Sequence, residues 1–402
     1  MNFKIYKTDL INKIMIFQLA WILFYGLVYS YYPSIAVFTY IPDILNIILI
    51  ICSFERTKYG IKIRYLGIAL FVGYAFLSIL WGDMNMYFIV ASFRRYVTAM
   101  IIYFVSTEYI TEKYLNKGIN LFLFALGIDV FATGYQNLVL KLHPDFCNGI
   151  FGTYGYNNAM QGMFCSIISA IAMVYYIDKK WSKFKMIYAL GTSCVICAFS
   201  EIKAFYILII TLFVIVFLFR CNNSKLRKKI SSFIIIGVLL LYIAYKILEM
   251  VFPENLATFF DLSHYMLYEK YGAHGGAGRL NSIQYIYNDV FKKNIFETLI
   301  GQGLGSVENE FVYTIGKLFV SFGVIGVMLL LGWVLYLFFK CMKKAKESSE
   351  NLIEVVILVM IVISSFLWNS LFTQMTYIIF WLLGINNINL SVMQAKGNGD
   401  QL

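Results

Sequence analysis

Runs of about 20 mostly apolar residues recur along this chain, and each is long enough for a helix to cross the hydrocarbon core of a bilayer. The reading gives about twelve such spans, at 14–31, 35–52, 63–81, 88–106, 119–140, 158–177, 186–200, 204–219, 230–248, 313–339, 352–368 and 374–391. Composition agrees: 60% of the residues are hydrophobic and 14% charged, against about 45–50% and about 25% in soluble domains. A soluble enzyme, a disordered chain and a DNA-binding domain are excluded. The expected fold is all-α, one polytopic membrane domain over 1–402, and the net charge of +11 is expected in loops on the cytoplasmic side.

Loop charge sets the orientation. One set of alternating loops, from Lys4, Lys7 and Lys13 through Arg56–Arg64, Lys113 and Lys117, Lys179–Lys185, Arg220–Lys229 and Lys340–Lys346 to Lys396, holds 23 of the 33 basic residues. The short loops around 31–34, 82–87 and 369–373 hold none. Both termini are therefore expected in the cytoplasm. The first span is expected to be retained, because Ser30-Tyr31-Tyr32-Pro33 is no small-residue cleavage site. Two segments without a span are expected outside: 141–157, and a long loop over 249–312. After Arg279, Ile283, Ile286, Tyr287, Val290 and Phe291 recur at helical spacing, which predicts an amphipathic helix on the outer surface. Six of the seven cysteines fall in apolar runs or cytoplasmic loops, so no disulfide framework is expected. Cys194 and Cys197 have CxxC spacing but read as core.

Three groups of residues carry candidate chemistry. Arg94 and Arg95 stand in the fourth span, where a buried charge costs at least about 2.5–3.5 kcal/mol. They need an anion, a carboxylate or a water-filled cavity, or one of them snorkels to the outer interface. Glu201 and Lys203 stand between two apolar runs with almost no polar linker. They form either a solvated tight turn or a cavity-lining corner that offers a cation to an anionic substrate. The outer loop carries His274, Arg279 and the run Gly301-Gln302-Gly303-Leu304-Gly305-Ser306 followed by Glu308 and Asn309. Glycines there would let backbone N–H groups approach an anion, but no Gly-Lys-Ser/Thr follows, so it is no P-loop. The histidines have no metal-ligand spacing. A lipid-linked diphosphate would satisfy the cations, since guanidinium forks match phosphate oxygens.

Four places resemble the Wzy-type polymerases of bacterial O-antigen and capsule, in the wider family that includes O-antigen ligase. They are Ser200-Glu201-Ile202-Lys203-Ala204-Phe205 at an outer corner, Phe151–Ala159 at the entry to a mid-chain span, Gly278-Arg279-Leu280 followed by Leu299–Gly305, and Glu308-Asn309-Glu310-Phe311 leading to Phe322–Gly326. The resemblance covers most of the chain. It implies a glycosyltransferase of the bacterial cytoplasmic membrane, with its active site on the extracytoplasmic face. Undecaprenyl-diphosphate-linked oligosaccharide would be donor and acceptor, in membrane lipid, with a chain-length regulator and a flippase as partners and no nucleic acid. It implies no cofactor and no metal. By analogy Arg279 and Lys203 hold the diphosphate with Arg94 or Arg95 assisting. Glu308 stands where ligases have histidine, which favours a polymerase, and it is a general base or a helix cap. Ligase and flippase or transporter are the alternative readings.

Overall fold

The computed structural model describes residues 3–53, 63–82, 85–153, 157–220, 282–292, 294–306, 312–368 and 375–385, with isolated positions between 239 and 250. Every regular element among them is helical. In chain order these are α1 Phe3–Tyr31, α2 Ile41–Ser53, α3 Ile63–Ser78, α4 Met86–Phe93, α5 Met100–Tyr109, α6 Glu112–Gly134, α7 Asn158–Ile177, α8 Lys183–Phe199, α9 Lys203–Arg220, α10 Ser282–Tyr285, α11 Ile295–Ile300, α12 Thr314–Lys344, α13 Ser349–Leu367 and α14 Met375–Leu382. A 3₁₀ stretch, Pro33–Tyr40, leads into α2, and π-helical turns, Arg94–Thr98 and Tyr135–Val139, extend α4 and α6.

Among the described residues, eight helical stretches are long and apolar enough to cross a membrane, including Tyr6–Tyr31, Met86–Tyr109, Asn158–Ile177 and Thr314–Lys344; Tyr65–Trp81 is a shorter apolar one. The expected segment 230–248 lies outside the described residues apart from single positions, and 374–391 is described only as far as 385. Most of the long loop 249–312 also lies outside them. Apolar side chains face outward on the peripheral helices, as at Ile51, Leu218 and Phe131. Such a surface suits lipid, because in water contiguous apolar patches are small.

The centre of the bundle is α7. It is buried on every side from Ala159 to Tyr175, as expected of a helix that is apolar all round. Its small residues admit close neighbours: at Gly162 a Cβ would lie 2.7 Å from Ile202 and 3.0 Å from Trp368. Around α7 stand α8, α9 and α13. A second packing group joins α3 to α12, through Trp333 against Gly67 and Phe322 against Phe71.

Contacts between helix ends sort the loops into two sets. At one end, Lys113 pairs with Asp9, Lys185 donates to Asn120, Lys180 pairs with Glu350, and Arg220 reaches both Asp178 and the carbonyls of Ala345 and Lys346. These are the ends that carry the basic loops. The other set joins Ser30 to Thr153, Asn137 to Phe199, Gly82 to Gly303, and Thr314 to Trp368. The loops alternate between the sets along the chain, so consecutive long helices run antiparallel.

Of the ion pairs described at the basic end, Arg220 with Asp178 is the most buried. Arg220 places Nε 2.9 Å from Asp178 Oδ1 and Nη2 3.0 Å from Oδ2, a bidentate fork. Ser349 Oγ adds a bond of 2.7 Å to the same carboxylate. Arg220 is 8% exposed, so removing it strands a largely dry carboxylate. Arg220→Ala is expected to destabilise the fold by about 3 kcal/mol. Replacing both partners, as in Arg220→Met with Asp178→Asn, is expected to cost less; denaturant unfolding in detergent distinguishes the two.

Candidate functional site

Two polar groups are built at the end opposite the basic loops. The first surrounds Arg94. Its helix starts at Met86, so Arg94 sits two turns in, where the ladder loosens into the π-turn Arg94–Thr98. The guanidinium donates from Nε to Asp43 Oδ2 at 2.7 Å and from Nη2 to the Thr39 carbonyl at 2.6 Å, and lies 4.4 Å from the centre of the Tyr40 ring. Tyr377 donates to Asp43 Oδ1 at 3.0 Å and meets Thr98 Oγ1. Asn46 donates to the Thr98 carbonyl, and Gln18 donates to Asn46 Oδ1 at 2.9 Å. Of the options the sequence leaves for Arg94, the structure selects the carboxylate: Asp43, which opens α2. Arg95 lies half-buried on the neighbouring face.

The second group surrounds Glu201 and Lys203. The corner is a Schellman ending of α8: Glu201 N–H donates to the Ala198 carbonyl, Ile202 N–H donates to the Cys197 carbonyl, and Glu201 has φ 49°. A glycine usually occupies that left-handed position, and a side chain there costs about 1 kcal/mol. Ser200 and Ile202 are buried on either side. The corner is thus a tight turn, and its flanks are packed into protein. Lys203 opens α9. Burial raises the Glu201 carboxyl above the ordinary range, with Lys203 pulling the other way and Asp145 adding to the rise. Asp145 is itself paired with His143, 3.6 Å away. Burial also pushes the Cys147 thiol up to about 11, which keeps it protonated and unreactive.

Under that corner the expected outer segment 141–157 turns inward. Cys147, Ile150 and Phe151 are buried. Asp129 of α6, fully buried, accepts from Ile150 N–H at 2.9 Å and from Gln161 Nε2 at 3.1 and 3.2 Å. Gln161 Nε2 also donates to Thr133 Oγ1, and its carbonyl accepts from Ser200 Oγ at 2.9 Å. Ser200 Oγ bonds the Cys147 carbonyl as well. Gln136 grips Gly149 by both backbone groups, N–H at 2.7 Å and C=O at 3.1 Å. Gly149 has φ 55°, and a Cβ there would lie 1.8 Å from Asp129 Oδ1, so no other residue fits. Sequence reasoning missed this group. Its signal was present: Asp129, Thr133, Gln136 and Asn137 recur at helical spacing inside an expected span, where one carboxylate is already an exception.

The glycine run at 301–305 corrects an expectation. Three of its backbone N–H groups are spent inside the protein: Gly301, Gln302 and Gly303 donate to the carbonyls of Glu297, Val320 and Ser321. The last two are freed because α12 breaks at Gly323, with φ 60° and ψ −170°. Tyr74 Oη caps the Phe322 carbonyl and bonds that of Ile300. Such breaks survive in lipid only where protein re-satisfies the freed groups. Before the run, α10 continues into a π-helical turn, Ile286–Phe291. Ile286 and Phe291, one π-turn apart, pack on α12 through Val320 and Phe319. The amphipathic helix expected on the outer surface docks there on protein.

The α1 helix runs between the two polar groups, with Tyr25 bonded to the Ala36 carbonyl on one side and Ser30 to Thr153 on the other. His274, Arg279, Glu308 and Asn309 lie outside the described residues. No protein-family model matches this chain, and no curated protein matches it by sequence.

Glu201→Gly is expected to stabilise the fold by about 1 kcal/mol, because glycine adopts the left-handed position without strain. The raised carboxyl adds a pH test. A folded value above the unfolded one means that the folded state binds the extra proton in between. Stability should therefore fall as pH rises from the ordinary glutamate value, 4.5, through the raised one. Glu201→Gln should remove that part of the slope, measured as unfolding free energy against pH.

Proposed function

We propose that this chain is a membrane-embedded glycosyltransferase that joins undecaprenyl-diphosphate-linked oligosaccharide repeats at the end opposite the basic loops. In this reading the chain has twelve spans, both termini are cytoplasmic, and that end faces outside. The observation that carries the reading is the corner at 200–203. It places a carboxylate and an ammonium in a strained, protein-backed turn, away from the basic loops that the orientation rule assigns to the cytoplasm. Arg94 adds a guanidinium at the same end, held in place by Asp43 and Tyr40.

In the proposed reaction Lys203 and Arg279, with Arg94 or Arg95, neutralise the diphosphate. A hydroxyl of the second sugar chain attacks the anomeric carbon from the opposite face, the diphosphate leaves, and the linkage inverts. Developing charge on the leaving group is met by cations already in place, so no divalent ion is needed. Glu308 takes the proton of the attacking hydroxyl or caps the helix that follows.

One observation favours a second reading, transport of the lipid-linked sugar. The α12 helix is broken at Gly323, and discontinuous helices often mark transporter sites. Purified protein with lipid-linked repeat separates the readings. A ladder of chain lengths that persists in chelator is the expected result. A single transfer product would indicate a ligase, and no new bond a transporter. Arg279→Lys and Lys203→Ala should each lower the rate strongly in protein that still inserts. Arg94→Ala and Arg95→Ala should differ from each other, because the two side chains lie on different faces of the helix and Arg94 is bonded to Asp43. Glu308→Gln should cost about 100-fold or more if that residue is the base, and little if it is a cap.

A further inference from the structure

We propose that Asp129 is the positioning residue of this end of the molecule. From inside the bundle it sets, through Gln161 and Ser200, the corner that presents Glu201 and Lys203. The proposal deepens the reading above and rests on the corner being the reactive end.

Asp129 is fully buried, so it touches no substrate and acts only through other residues. A carboxylate in a membrane-spanning helix is expensive, and an apolar side chain would fill the place more cheaply. What the carboxylate adds is direction. Its partners are donors, the Ile150 N–H and the Gln161 amide NH₂. A group ringed by donors is no cation site. Because Asp129 and Thr133 Oγ1 take the NH₂ of Gln161, the amide carbonyl must face the other way, toward Ser200. Ser200 closes α8, one residue before the left-handed Glu201. Both of its side-chain partners, Gln161 Oε1 and the Cys147 carbonyl, are acceptors, so its single proton ties the corner to two elements at once.

The same carboxylate sets the opposite wall. By holding Ile150 it draws the segment after Pro144 into the bundle, and that segment brings the Cys147 carbonyl to Ser200, beside the corner. Gly149 is the counterpart of this contact, since its missing Cβ is what lets the chain approach Asp129. One buried group thus orients both sides of the corner.

The chemistry predicts an uneven response to substitution. Asp129→Asn keeps the size and the acceptor for Ile150. Its new amide can donate to a Gln161 turned end for end, which then donates to Ser200, whose proton stays on the Cys147 carbonyl. Asp129→Leu leaves the Gln161 amide without direction. Ser200→Ala cuts only the last link.

Two measurements on the full purified chain test this. The first is hydrogen exchange followed by mass spectrometry, which needs no activity. Asp129→Leu should speed exchange across 148–152 and also across 200–203 by about tenfold or more, while α9 beyond Phe205 is unchanged. Asp129→Asn should leave both segments near wild type. A rise confined to 148–152 would overturn the proposal, because Asp129 would then act only on its own neighbour. The second is steady-state transfer from lipid-linked repeat. Asp129→Leu and Ser200→Ala should each raise KM for the donor by about tenfold to a hundredfold, the scale of a misplaced binding group. The double variant should be no worse than Asp129→Leu, since both cut one chain of contacts. Additive losses, or normal KM in both, would overturn the proposal. If Asp129→Leu does not fold, Ser200→Ala decides both measurements. Absence of transfer by the wild-type protein would sink the glycosyltransferase reading and leave the exchange test standing.

Discussion

A helix that breaks in lipid must find protein partners for the backbone groups it frees, because no water is there to take them. That constraint shapes the irregular features around the candidate site. Where α12 breaks at Gly323, the freed carbonyls are taken by Gln302, Gly303 and Tyr74. Where α4 loosens into a π-turn, Thr98 bonds the Arg94 carbonyl. The α8 ending at Glu201 closes its own carbonyls, and the inward segment beneath it is held by Asp129 and Gln136. In each case a protein donor, backbone or side chain, is in position to support the irregular backbone.

The breaks are also connected. Phe322, the last residue before the α12 break, stacks edge-on against Tyr96 of the π-turn at 5.4 Å and against Phe71 at 5.2 Å. Gly303 packs on Gly82 in the link between α3 and α4. The run 301–305 is therefore seated on the same helices that carry Arg94. The two ends of the bundle use charge differently. At the basic end Arg220 and Asp178 neutralise each other in a bidentate pair. At the other end Asp129 is satisfied by neutral donors, and the corner carries its own cation.

The helices were legible because hydropathy in a membrane chain reports burial against lipid directly, and runs such as 158–177 have one reading. The division of the loops between a basic end and its opposite was legible from charge. Four things were not. The reading of 141–157 as an outer loop missed that Ile150 and Phe151 are apolar enough to turn inward once Asp129 offers their backbone a partner. The glycine run read as an anion cradle, but close packing needs the same backbone without side chains, and the carbonyls that Gln302 and Gly303 meet come from the α12 break, distant in sequence. The tight spacing of Glu201 and Lys203 did not reveal a Schellman ending, because glycine is its usual marker. Asp129 went unnoticed beside the more conspicuous Arg94 and Arg95, although a lone carboxylate in a span is as exceptional as a lone cation.

The central claim is that a lipid-linked diphosphate is held at the corner of α8 and α9. The most direct measurement is a cryo-electron microscopy map of the full chain in lipid nanodiscs with undecaprenyl diphosphate. The account predicts density for the two phosphates within reach of Lys203 Nζ, at the end of the bundle away from Arg220 and Asp178. Phosphate density among the basic loops at Arg220, with none at the corner, would contradict it.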